Sequence, residues 1–263
     1  MLKIIEKVKP LIINQQMRVL PGQLAFFLVL SLVPLLTLTT YILVNFQFMI
    51  DIFNLLIKDS IPEDMIRILS SLVSQPASVN TISFMIFGFI VASNGSNSVI
   101  LASNWLFDLP AGSFIKRRIK AVIMLFMLIT MFIIIGFGLA FGTTLLNFVL
   151  SLEWFKTEVY LLIEIFKWPL SMALIYFFVK TLYTIAPDSP IPSKYMNKGA
   201  LFVTVGFTIV TYVYSFYVNN FANYSLFYGN LSNIVILMFW IYLLSYLFVL
   251  GIAINAYYYK KDK

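Results

Sequence analysis

Apolar residues run through this chain in long blocks rather than in the one-sided stripes of soluble helices. Six blocks stand out, at 24–45, 79–107, 121–150, 168–186, 199–219 and 231–257. A bilayer hydrocarbon core about 30 Å thick is crossed by roughly 20 apolar helical residues, so each block predicts one transmembrane helix. The second block holds a polar interruption, "VASNGSNSVI" at 91–100. Asn-Gly is a strong turn signal, which raises the alternative of a surface loop. The flanks, 79–92 and 99–107, are each too short to cross alone. An acidic loop (Asp51, Asp59, Glu63, Asp64) precedes the block and a basic loop (Lys116 to Lys120) follows it, so the two belong on opposite sides. An odd number of crossings separates them, and the polar stretch therefore belongs to one span at membrane depth.

Composition agrees with lipid as the outer solvent. Of the 263 residues 61% are hydrophobic and only 11% charged, against about 25% charged in soluble domains. There is no cysteine and no histidine, which excludes disulfides, thiolate chemistry, Cys/His zinc sites and imidazole catalysis. The net charge of +7 is a topology signal. Segments 1–23, 108–120, 180–198 and 258–263 hold 14 of the 18 basic residues, leaving Lys58, Arg67, Lys156 and Lys167 to the alternate loops. The positive-inside rule places those four segments in the cytoplasm. The N-terminus lacks the short apolar core and small-residue cleavage site of a signal peptide. The predicted fold is all-α: a polytopic protein of the cytoplasmic membrane with six transmembrane helices over 24–257. A cytoplasmic amphipathic segment at 1–23 precedes them, a basic tail at 258–263 follows, and both termini lie inside. Short interfacial helices are predicted at 2–12 and from Ser60 to Leu72, the second with capping-box spacing between Ser60 and Glu63.

Polar side chains inside a span should face neighbouring helices or a hydrated cavity. Ser93, Asn97 and Asn104 share one helical stripe, with Asn94 and Ser98 on the next. Gly95 is a place where the helix could loosen, Pro34 a kink, and Gly229 a tight outer turn beside Asn230. Candidates for a substrate path are Ser93, Asn94, Asn97, Ser98, Asn104, Asn230, Asn233 and Asn255; hinge or turn candidates are Pro34, Gly95 and Gly229. The alternative reading is interhelical packing, in which Asn and Ser simply hydrogen-bond between helices.

"LAFFLVLSLVPLL" in the first span, with Ser31 and Pro34, carries a family likeness together with the stretch from Gly199 to Ala256. The landmarks of the second are Gly199-Ala200, Tyr217, Tyr228-Gly229-Asn230-Leu231, Trp240 and Gly251, and Asn104 adds to them. In these the chain resembles the YihY / virulence factor BrkB family, formerly mislabelled ribonuclease BN, from about Leu24 to Tyr257. The resemblance implies a six-helix cytoplasmic-membrane protein suspected of transport, with no established catalytic residues. Relatives commonly carry a carboxylate in the last span where this chain has Ala253, so a proton-coupling role there is not implied.

Nuclease chemistry usually needs carboxylate- or imidazole-held metals or a poised acid–base pair. Without histidine, and with its cytoplasmic acids Glu6, Asp108, Asp188 and Asp262 far apart in sequence, the chain reads as a non-enzyme with no cofactor and no metal. The expected partners are membrane lipids and not nucleic acid, with oligomeric state open. An uncharged, Asn/Ser-lined groove suits an amphiphile whose head group follows the polar stripe while its tails stay in the bilayer. That predicts a transporter or flippase-like protein. The alternative is a structural or accessory envelope protein that moves nothing.

Overall fold

A computed structural model describes residues 17, 19–30, 79–110, 112–131, 156–221 and 232–262. Six α-helices appear there: α1 (Val19–Leu30), α2 (Val79–Leu106), α3 (114–131), α4 (Lys156–Ile185), α5 (Asn197–Phe221) and α6 (Ser232–Lys261). A 3-10 turn, Ser193–Met196, leads into α5. No strand occurs among the described residues. The predicted helices at 2–12 and 60–72, and Pro34, Gly229 and Asn230, lie outside the described residues. Asn233 falls in the first turn of α6, with its side chain outside the description.

Each helix overlaps one apolar block, but several begin earlier. α1 includes residues 19–23, with Pro21 in its first turn, where the missing N–H is harmless. α3 starts at 114, so the basic run Lys116 to Lys120 is helical. α4 starts at Lys156 instead of 168 and passes through Pro169 without ending. Its early residues include Lys156, Glu158, Glu164 and Lys167, which are good helix formers though poor membrane residues. Hydropathy marks where a helix enters lipid, not where it begins. The stretches long and apolar enough to cross a bilayer, among the described residues, are Trp168–Ile185, Ser193–Val218 and Val235–Lys261. Leu201, Val205, Ile209 and Tyr212 of α5 are exposed, an apolar face that water would not tolerate over such an area.

The described chain divides into two compact units, one drawing on Met1–Val29, Ser93–Leu125 and Lys167–Lys263, the other on Leu30–Ala92 and Phe126–Phe166. In the second, the rings of Phe89 and Phe126 meet at 5.5 Å. In the first, α5 and α6 pack closely along their length. Glycine makes that approach possible. A Cβ on Gly199 would collide with the Gly251 carbonyl oxygen, and one on Gly251 with the Tyr183 hydroxyl and Val203. The Tyr183 hydroxyl donates to the Phe248 carbonyl at 2.7 Å, joining α4 to α6 at the same level.

α2 ends in a Schellman motif. Leu109 N–H donates to the Asn104 carbonyl at 2.8 Å and Asp108 N–H to that of Trp105 at 3.1 Å. Asp108 takes the left-handed position at φ 53°, which glycine usually fills.

A polar joint at the basic end of the helices

The end of α2 meets the α4–α5 connection through one carboxylate. Asn104 Nδ2 donates to Asp188 Oδ2 at 2.7 Å, while Asp188 N–H donates to Asn104 Oδ1 at 2.8 Å. The same Asp188 oxygen accepts from Gly112 N–H at 3.1 Å. Lys120 of α3 donates to Asp188 Oδ1 at 3.2 Å and to the Pro187 carbonyl at 2.7 Å. The Asp188 side chain is 9% exposed and that of Lys120 22%. The carboxylate accepts from three donors, one of them the Lys120 ammonium. Gly112 is required beside it, because a Cβ there would lie 2.8 Å from Asp188 Oδ2.

Further contacts bring α6 to the same end. Phe107 meets the Tyr259 ring at 5.7 Å, Tyr195 meets it at 5.3 Å, and Lys260 pairs with Asp108. The C-terminal ends of α2, α4 and α6 and the N-terminal ends of α3 and α5 therefore gather together. Consecutive helices from α2 to α6 alternate in direction, and Lys116, Arg117, Arg118, Lys120, Lys194, Lys198, Lys260 and Lys261 share one end. Among the described residues, Asp108, Asp188 and Asp262 are the acids there.

The polar stretch of α2 sits deeper. The helix continues unbroken through Gly95, and a Cβ there would meet Phe27 of α1 at 3.5 Å, an ordinary contact. The glycine faces a neighbouring helix and the backbone does not bend there. Asn94 Oδ1 accepts from Arg118 Nη1 at 2.8 Å, and Ser98 donates back to the Asn94 carbonyl at 3.0 Å. Ser93 is buried, and Asn97 is half-buried with no described hydrogen bond to its amide. Fully buried Asn255 accepts from Gly199 N–H at 2.7 Å through Oδ1. Its Nδ2, like the hydroxyls of Ser96, Ser103 and Ser245, is buried without a partner. Towards the other end of α5 and α6 lies an apolar groove of about 570 Å³, lined in part by Val213, Tyr217 and Phe239, with Tyr214 stacked on Trp240 at 5.2 Å.

The predicted path residues thus separate. Asn94 ties α2 to α3, Asn104 holds the α4–α5 connection, Asn255 ties α6 to α5, and Asn97 has no described hydrogen bond. Asp188, Lys120, Gly112 and Arg118 were not singled out as site residues from sequence. Asp188 carried one signal: it is the sole acid in a connection with three prolines.

The family model for virulence factor BrkB matches residues 12–263. The chain belongs to the virulence factor BrkB family. Over 255 residues it is 31% identical to the putative ribonuclease-like protein YfkH of Bacillus subtilis (strain 168), covering 92% of this chain and 90% of that one. A UPF0761 membrane protein of Xanthomonas campestris pv. campestris (strain B100) is 30% identical over 136 residues, 49% of this chain and 32% of that protein. A UPF0761 membrane protein of Pseudoalteromonas translucida (strain TAC 125) is 33% identical over 75 residues, 28% of this chain and 25% of its own. No solved structure matches. With apolar helices and membrane-protein relatives, this BrkB-family chain is an all-helical membrane protein. Among the described residues no group of three His, Cys, Asp or Glu side chains is placed to hold a metal.

Proposed function

We propose that this BrkB-family protein moves a lipid or similar amphiphile across the cytoplasmic membrane, the head group travelling along polar groups of α2 and α6. The observation that carries the reading is four of the buried polar atoms left without partners among the described residues: Ser96 Oγ and Ser103 Oγ on α2, Ser245 Oγ and Asn255 Nδ2 on α6. A buried donor left unpaired costs about 1–3 kcal/mol, so a membrane interior that keeps four of them is explained best by water or a polar ligand that visits. The α5–α6 groove, which reaches Leu243 two residues before Ser245, offers apolar surface for an acyl chain. In this reading the basic end faces the cytoplasm, with both termini there, as the positive-inside rule requires. The protein works without cofactor and without nucleic acid. In this reading it is a non-enzyme, with Asp108 and Asp188 each bonded to a lysine.

The test is translocation of a fluorescent phospholipid in vesicles reconstituted with purified protein, scored by quenching from outside. The wild type should flip lipid faster than empty vesicles. The triple variant Ser96→Ala, Asn97→Leu, Ser103→Ala should lose about ten-fold of that rate or more, which corresponds to about 1.4 kcal/mol. A wild-type rate equal to that of empty vesicles would refute transport of this lipid class. A variant as fast as wild type would refute the polar path. One observation favours the alternative of a structural or accessory protein: Asn94 and Asn104 both hold loops and helices in place.

A further inference from the structure

Lys194 in the 3-10 turn, Lys198 in the first turn of α5 and Lys261 in the last turn of α6 are all exposed at the basic end. Two of them lie over tyrosine rings. The Lys198 ammonium stands 3.4 Å over the Tyr258 ring, the Lys194 ammonium 4.9 Å over that of Tyr195, and Tyr195 packs edge-on against Tyr259. Lys261 follows Tyr258 by three residues and so rises from the same helical face. The neighbouring charges do not neutralise them. Among the described residues Asp108 is bonded to Lys260 and Asp188 to Lys120, and Asp262 enters no described ion pair. Three lysines against the single unpaired carboxylate of Asp262 leave a net positive charge among the described residues, and the tyrosine faces offset only part of it. The apolar stretches Ser193–Val218 and Val235–Lys261 begin and end at these lysines. Tyrosine and lysine at the terminus of a span sit at head-group level, where the available counter-charge is lipid phosphate.

We propose that Lys194 and Lys198, seated on Tyr195 and Tyr258, form together with Lys261 a docking site for the phosphate of an anionic bilayer phospholipid. This does not rest on transport, since a bound annular lipid serves a static protein equally well.

The experiment is native mass spectrometry of protein purified from nanodiscs of phosphatidylcholine with or without a one-fifth share of phosphatidylglycerol. Wild type should retain phosphatidylglycerol in preference to phosphatidylcholine, and added inorganic phosphate should leave that retention unchanged. Retention should fall about five-fold for each lysine replaced in Lys194→Gln, Lys198→Gln and Lys261→Gln. The matching Lys→Arg triple should keep it. The single Lys198→Gln variant alters one exposed residue and serves if the triple fails to fold. Equal retention in wild type and the glutamine variants would overturn the proposal, as would displacement of the lipid by free phosphate.

Discussion

Asn97 and Asn104 lie about two turns apart on α2, and their surroundings differ in kind. Asn104 gives both ends of its amide to Asp188, as donor and as acceptor. Removing it strands a carboxylate that is 9% exposed. Asn104→Leu should therefore cost about 1–3 kcal/mol, seen as a lower unfolding temperature in detergent. Asn97→Leu, at a half-buried amide with no described hydrogen bond, should stay within about 0.5 kcal/mol. Equal losses from the two would show that the Asp188 joint does not hold α2 to the α4–α5 connection. The contrast also governs the choice of functional variants. A path tested by removing Asn104 would report on folding, whereas Ser96, Asn97 and Ser103 leave the joint intact. Sequence spacing placed the two asparagines on one stripe correctly. It carries no information about which amide finds a partner, because Asp188 lies 84 positions away along the chain.

At the scale of elements, the three-helix crossing of α4, α5 and α6 is built from smallness at two positions and hydroxyl and amide bonding around them. Gly199 and Gly251 let the backbones of α5 and α6 approach, Asn255 bonds across them, and Tyr183 reaches from α4 to the Phe248 carbonyl. In lipid no solvophobic force pulls helices together, so close packing of small residues and interhelical hydrogen bonds carry the association. Gly251→Ala should thus cost about 1–3 kcal/mol through overpacking, despite the better helix propensity of alanine. The measurement is the unfolding temperature or the denaturant midpoint in detergent. A stabilised Gly251→Ala protein would mean that α5 and α6 are further apart than described. Six helices of the right order were legible in the apolar blocks, because lipid demands a long run of apolar residues whatever the tertiary contacts. Helix starts were not, as α4 shows: charged residues at Lys156 and Glu158 leave the membrane without leaving the helix. Gly199 and Gly251 were visible as landmarks, but the contact between them is a property of the folded helices.

At the scale of the whole molecule, charge and direction make one argument. Contacts at Asp188, Tyr259 and Lys260 bring the α2–α3 connection, the α4–α5 connection and the end of α6 to one place. Helix direction alternates from α2 to α6. Basic side chains outnumber acidic ones at that end among the described residues, and a cytoplasmic orientation follows if the positive-inside rule applies. The absence of cysteine from the chain makes the orientation open to direct measurement, since any single introduced thiol is the only one. Ser113 lies exposed just before α3 at the basic end, and Lys261 in the last turn of α6. Ser113→Cys and Lys261→Cys proteins should resist a membrane-impermeant maleimide in intact cells and react fully once the cells are opened. Asn97→Cys, about two turns inside α2 from Asn104, should react more slowly than either in opened membranes, by about ten-fold or more if its surroundings exclude water. Labelling of Ser113→Cys and Lys261→Cys in intact cells would invert the orientation while leaving the helix directions untouched. Labelling of one but not the other would contradict the shared end itself, and with it the joint at Asp188. Rapid labelling of Asn97→Cys from one side alone would instead mean that water reaches the polar stretch from that side, the condition a head group needs in order to enter.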